Sequence, residues 1–88
     1  MTPDQIFNDL KIIVAKLLKR SPKEIDEITS LDSRLKDDLG IDSVESLDLL
    51  HALESFYSIE ISDEEAADLE KVSDVINLLI GKNESRRE

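Results

Sequence analysis

Ser43 is the residue of this chain best placed to do chemistry, and its neighbours say of what kind. It stands within Asp38-Leu39-Gly40-Ile41-Asp42-Ser43-Val44-Glu45-Ser46-Leu47-Asp48. Asp42 is a strong N-cap, and Glu45 three residues on completes a capping-box pattern, in which each side chain accepts from a backbone N–H that a helix start leaves without a partner. The spacing therefore predicts that a loop ends and a helix begins here, with the Ser43 hydroxyl exposed at or beside the cap. Gly40 can take the positive φ of a tight turn, and with no side chain it lets another molecule come close. A helix N-terminus carries roughly +0.5 of an elementary charge and unpaired N–H groups, so a phosphate or phosphodiester on this hydroxyl would sit in a favourable field. The chemistry predicted is attachment of an anionic group.

Catalysis by Ser43 would need a base. The one histidine, His51, lies eight residues further along the same predicted helix, about 12 Å along its axis at ~1.5 Å per residue. A general base must come within roughly 3 Å of the proton it takes. With no cysteine nucleophile and no glycine-rich phosphate loop, an enzyme reading has little support, and the chain is expected to be non-catalytic.

Composition narrows the partners. The chain has 88 residues, 40% of them hydrophobic, which is one small domain able to bury only about 60–65% of its surface. Its net charge of -10, from 21 acids against 11 Lys and Arg, argues against nucleic acid and anionic membrane as main partners and favours basic protein surfaces. Without cysteine there is no disulfide framework, so any thiol chemistry must come from a prosthetic group. The apolar runs are only a few residues long and a helix signal follows Met1 directly, so neither a spanning segment nor a signal peptide is expected, and a cytoplasmic setting is.

Four helical segments are predicted around this site. Thr2-Pro3-Asp4-Gln5 is a capping box with proline at the first helical position, and Ile6, Phe7, Leu10, Ile13, Val14, Leu17 and Leu18 recur at three- and four-residue spacing to about Lys19. Ser21-Pro22 ends that helix. From Pro22 to Asp38 no period is sustained, and Ile25, Ile28, Leu31, Leu35 and Leu39 are the expected anchors of a long loop, with short helical turns at Lys23 to Ile28 or Ser33 to Leu39 left open. The second helix is expected from Ser43 to Tyr57, with Leu49, Leu50, Leu53 and Tyr57 on its core face and Val44, Leu47, Asp48 and His51 roughly opposite. Val44 and Leu47 then either form a docking surface or pack under the preceding loop. Glu70, far along the chain, falls outside that face. Ser62-Asp63-Glu64-Glu65 is a third capping box and opens a short helix to about Leu69. Its acids read as a solvated helix start, and no calcium-binding loop pattern is present. Val72, Val75, Ile76, Leu79 and Ile80 make the last stripe, starting near Lys71 or shifted toward Ser73. Gly81 is expected to end it, and Asn83-Glu84-Ser85 matches a glycosylation sequon by chance.

The stretch Asp38-Leu39-Gly40-Ile41-Asp42-Ser43-Val44, followed by Asp48-Leu49-Leu50 and Ala52-Leu53-Glu54, resembles the acyl carrier proteins, a likeness that runs from about Leu10 to Leu79. The resemblance implies that Ser43 is esterified by 4'-phosphopantetheine donated by coenzyme A, and that the thiol of this arm carries acyl groups as thioesters for fatty-acid, lipid or polyketide synthesis. It implies docking of partner enzymes on Asp42, Val44, Glu45, Leu47, Asp48, His51 and Glu54. The partners would be a phosphopantetheinyl transferase (holo-ACP synthase) and acyl ligases, ketosynthases or acyltransferases with basic surfaces. The fold expected is all-α, an antiparallel four-helix bundle with three long helices, a short third helix and a long first loop. A monomeric domain over residues 1–81 and a flexible polar tail over 82–88 complete the expectation. Ser55 and Phe56 stand where many fatty-acid carriers have acids, and His51 where an apolar residue is common, which points to a specialised pathway. Two other readings stay open: an amino-acyl (D-alanyl or peptidyl) carrier, and an acidic helical interaction module without a prosthetic group.

Overall fold

The computed structural model describes residues 2–85 and contains five helices. Helix α1 spans Pro3–Leu18. Its capping box is formed as expected, the Thr2 hydroxyl accepting from Gln5 N (3.2 Å) and the Gln5 side chain from Thr2 N (3.1 Å). It ends at Lys19, which takes the left-handed conformation (φ 56°). Ile6, Leu10, Val14 and Ala15 are its buried stripe, with Phe7, Ile13, Leu17 and Leu18 packed against the core. The first of the two possible turns in the long loop is a true helix, α2, Pro22–Ile28, capped by Ser21 and anchored by fully buried Ile25. Lys11 ties it back to α1 through Asp26 at 2.6 Å, while lying over the Phe7 ring.

The rest of the long loop departs from its expected anchoring. Leu35 and Leu39 are buried, but Ile28 and Leu31 are 40% and 51% exposed, and Ile41, absent from the expected anchors, is buried. Ser33 is buried despite being polar because its hydroxyl is satisfied, accepting from Ser30 N (2.8 Å) and donating to the Ile28 carbonyl (3.2 Å). Residues 33–39 are turns around an isolated antiparallel bridge between Arg34 and Lys71, not a helix.

Helix α3, Ser43–Tyr57, has the predicted bounds, and helix α4, Asp63–Ala67, follows its Ser62 capping box. Helix α5 runs from Val72 to Ser85. Its start is set from across the fold. Val72 N donates to the Ser33 carbonyl and Ser73 N to the Leu31 carbonyl, both at 3.0 Å. Asp74 accepts from Glu70 N and Lys71 N, and these two bonds hold its carboxyl below the usual carboxylate range. Such donors at a helix start need partners, and here the loop supplies them, so no shift toward Ser73 occurs. Gly81 does not end the helix. Its φ is not in the left-handed region, and Lys82 in the next position pairs with Glu65 of α4 at 2.8 Å, fixing the turn beyond it. Positions 82–85 are therefore helical, and the rest of the expected tail lies outside the described residues.

Helices α1, α3, α4 and α5 are the four expected ones, with α2 added inside the first loop, and α1 packs against α2, α3 and α5. The seam between α1 and α3 is antiparallel: Tyr57 at the end of α3 donates its hydroxyl to Asp9 in the first half of α1 (3.1 Å), while Ala52, earlier in α3, lines a shared groove with Lys16 and Leu17 toward the end of α1. Burial first, then the Asp9 contact, pushes the Tyr57 phenol well above its ordinary value. The outcome is one core of Ile6, Leu10, Ile25, Ile41, Leu53, Val72, Val75 and Leu79, which holds the α3 N-terminus, and with it Ser43, at the surface.

Candidate attachment site

Ser43 is the first residue of α3 and is exposed. The cap beneath it is complete: Asp42 Oδ1 accepts from Glu45 N (2.7 Å), Glu45 Oε1 accepts from Asp42 N (3.1 Å), and Ser46 N donates to the Asp42 carbonyl (2.8 Å). The approach to it is equally fixed. Arg34 N donates to Asp38 Oδ2 (2.7 Å), Gly40 N to the Lys36 carbonyl (3.1 Å), and Ile41 N to the Leu35 carbonyl (3.0 Å). Gly40 has φ +73°, and a Cβ there would meet nothing within 4 Å. Glycine is needed for the backbone turn, not because this chain crowds the position. Leu39 and Ile41, buried on either side, pin the turn to the core.

On α3 the predicted division of faces is realised. Leu49 and Leu53 are buried and Leu50 and Tyr57 half-buried, while Asp48 and His51 are exposed. Val44 and Leu47 are 69% and 57% exposed, which excludes packing under the preceding loop. Glu54 is placed differently. It is half-buried, and its Oε2 accepts from Ile61 N at 3.0 Å, tying down the loop after α3 at the end away from Ser43. Asp42 and Glu45 lie beside Ser43 with their carboxylates in the capping box, so they hold the helix start as well as adding negative charge to it.

A groove of about 330 Å³ opens beside Ser43, lined among others by Arg34, Leu35, Lys36, Ile41, Ser46 and Leu69. Glu70 also lines it, although chain distance had placed it elsewhere. The bridge between Arg34 and Lys71 and the Leu35 N to Glu70 carbonyl bond (2.9 Å) bring the two segments together, a long-range pairing with no local sequence signal. Below the groove, sharing Leu35, Ser46 and Leu69 with it, lies a cavity of about 60 Å³ walled by Leu49, Leu50, Leu53 and Val75. Among the described residues, no three or more His, Asp or Glu side chains converge as a metal site, and no helix is long and apolar enough to cross a membrane.

A profile of the family described as "phosphopantetheine attachment site" matches residues 8–79. The chain belongs to the acyl carrier protein family. It is 39% identical over 74 residues to the acyl carrier protein of Wolinella succinogenes, covering 84% of this chain and 92% of that one. To the acyl carrier protein of Petrotoga mobilis it is 39% identical over 82 residues, covering 93% and 92%. The solution structure of a protein from Anaplasma phagocytophilum, provisionally assigned as an acyl carrier protein, superposes with a TM-score of 0.79 at 34% identity, covering 93% of this chain and 92% of that one. Membership in the family makes the chain a non-catalytic carrier and implies a covalently attached 4'-phosphopantetheine. The residues fit that group: an exposed hydroxyl on a rigid helix start, beside a groove at the lower end of the ~300–1,000 Å³ range of small-molecule sites.

Proposed function

We propose that Ser43 is the attachment residue and that the face of α3 formed by Asp42, Val44, Glu45, Leu47, Asp48 and His51 is where partner enzymes dock. The observation that carries this is the combination at one helix start: an exposed serine, a closed cap holding it still, and two exposed aliphatic side chains, Val44 and Leu47, within one turn of it. Ser43 Oγ is the nucleophile that would form the phosphodiester by displacing 3',5'-ADP at the pyrophosphate of coenzyme A. The flanking carboxylates of Asp42 and Glu45 accept from backbone N–H groups and are held in the helix cap. When bound, the group supplies a thiol that holds acyl chains as thioesters. Glu54, expected on the docking face, also fixes the loop after α3 through its bond from Ile61 N.

The apolar lining of the small cavity beside the groove favours acyl over amino-acyl cargo, since burying an unpaired amine there would be costly. Ser55, and Phe56 at 59% exposure, at the far end of α3 support service in a specialised pathway with its own ligase or synthase, in a cytoplasmic setting. Incubation with coenzyme A and a phosphopantetheinyl transferase should add one arm, mapped by peptide mass to Ser43. Ser43→Ala should abolish the mass increase and leave the thermal transition within a degree or two. Addition at another serine, or none with several transferases, would overturn the assignment.

A further inference from the structure

We propose that Arg34 and Lys36 form a cationic seat for the phosphodiester on Ser43, so that the first part of the arm rests in the groove beside α3 instead of projecting into solvent. The inference depends on Ser43 being the attachment point and goes beyond it by naming residues of the long loop. Both residues line the groove that Ser43 lines, and they flank buried Leu35, which belongs to the core. Their backbone is held at several points, by Arg34 N to Asp38, Leu35 N to the Glu70 carbonyl, and Gly40 N to the Lys36 carbonyl. The two cations are thus fixed at the groove edge by their main chain while their side chains stay free to reach.

Neither cation is committed elsewhere. Among the described residues Lys36 has no ion pair, and Arg34 meets only Asp37, at 3.8 Å, with both side chains more than half exposed. Such an exposed pair holds little, and a phosphodiester offers a guanidinium a better-shaped acceptor than a carboxylate at that distance. Asp37, Asp42 and Glu70 also line the groove and repel a phosphodiester, and the two cations offset that repulsion. Tethering to Ser43 makes the contact intramolecular, which lets a weak exposed pair be populated. The seat directs the arm along the groove toward the apolar cavity that shares Leu35, Ser46 and Leu69 with it.

The test uses the full-length holo-protein with labelled methyl groups, at low salt. Nuclear Overhauser contacts from the geminal methyls of the arm to Leu35, Ile41 and Leu69 report the seat directly, and the 31P shift of the phosphodiester reports its contacts. At about 1.5- to 5-fold in population per exposed charge contact, Arg34→Gln and Lys36→Gln should each weaken the arm contacts about twofold and the double variant severalfold. Raising the salt of the wild type to about 0.5 M should do the same. Arg34→Lys should retain most of the signal, and Lys23→Gln, on α2, should retain all of it. Apo-protein amide spectra establish that each variant is folded. Contacts absent from the wild type, or unchanged in a folded double variant bearing the arm on Ser43, would overturn the seat alone. An arm found on another residue would overturn the Ser43 assignment and the seat with it.

Discussion

Replacing Leu47 by alanine measures how much of partner recognition is apolar, because the structure limits what the substitution can do. The change removes three carbons, a net three CH2 equivalents, about 2.4 kcal/mol if all were transferred out of water at about 0.8 kcal/mol per group. Leu47 is already 43% covered in the free protein, being 57% exposed, so about 1.4 kcal/mol remains to be gained on docking, or about tenfold in kcat/KM. The same reckoning for Val44→Ala, at 69% exposure, gives about 1.1 kcal/mol and about sixfold. Neither substitution opens a cavity, so stability should change by less than about 0.5 kcal/mol. The assay is transferase turnover with apo-protein as the varied substrate, from low to high ionic strength. The apolar losses should be nearly independent of salt, whereas Asp48→Lys should cost most at low salt, because an exposed charge acts mainly on association. Glu60→Lys, exposed in the loop at the other end of α3, is the charge-matched control; Glu70 cannot serve, since it lines the Ser43 groove. A Leu47→Ala protein with kcat/KM within twofold of wild type, or equal losses for Glu60→Lys and Asp48→Lys, would refute the docking face.

Gly40→Ala should destabilise the protein by about 1 kcal/mol for its left-handed backbone, with no steric surcharge because a Cβ meets open space. That is a fall of roughly 4–8 °C in the thermal transition at this size, and an unchanged Tm would show that the turn relaxes. Tyr57 is the single tyrosine, and its phenol should ionise above the ordinary value of about 10 in an ultraviolet titration. Since the folded value is raised, this contribution to stability is complete below about pH 10 and is lost as pH rises through the folded value; Asp9→Asn should lower the midpoint only in part, because burial is the larger cause. With a net charge of -10, added monovalent salt or millimolar Mg2+ or Ca2+ should raise Tm by screening self-repulsion, and a flat titration would show that repulsion does not limit stability.

What could be read along the chain was whatever acts within about four residues. The capping boxes at Thr2, Asp42 and Ser62, the stripe of α1, the left-handed turn at Gly40 and the exposed first-turn position of Ser43 all depend on near neighbours, and each stands as the spacing implied. So does the division of α3 into a core face and an outward face with Val44 and Leu47. The long loop was illegible for the opposite reason, since it follows neither helical nor alternating period and its burial is dictated by what it packs against. Ile41 is buried while Ile28 and Leu31 are not, and no composition rule separates them. The start of α5 depends on carbonyls of Leu31 and Ser33, and its persistence past Gly81 on Lys82 reaching Glu65 in α4. Arg34, Lys36 and Glu70 meet Ser43 in one groove only because an isolated bridge joins residues 34 and 71. Local hydrogen bonds declare themselves in the spacing of the residues that make them, whereas a groove between distant segments exists only once a common core has drawn those segments together.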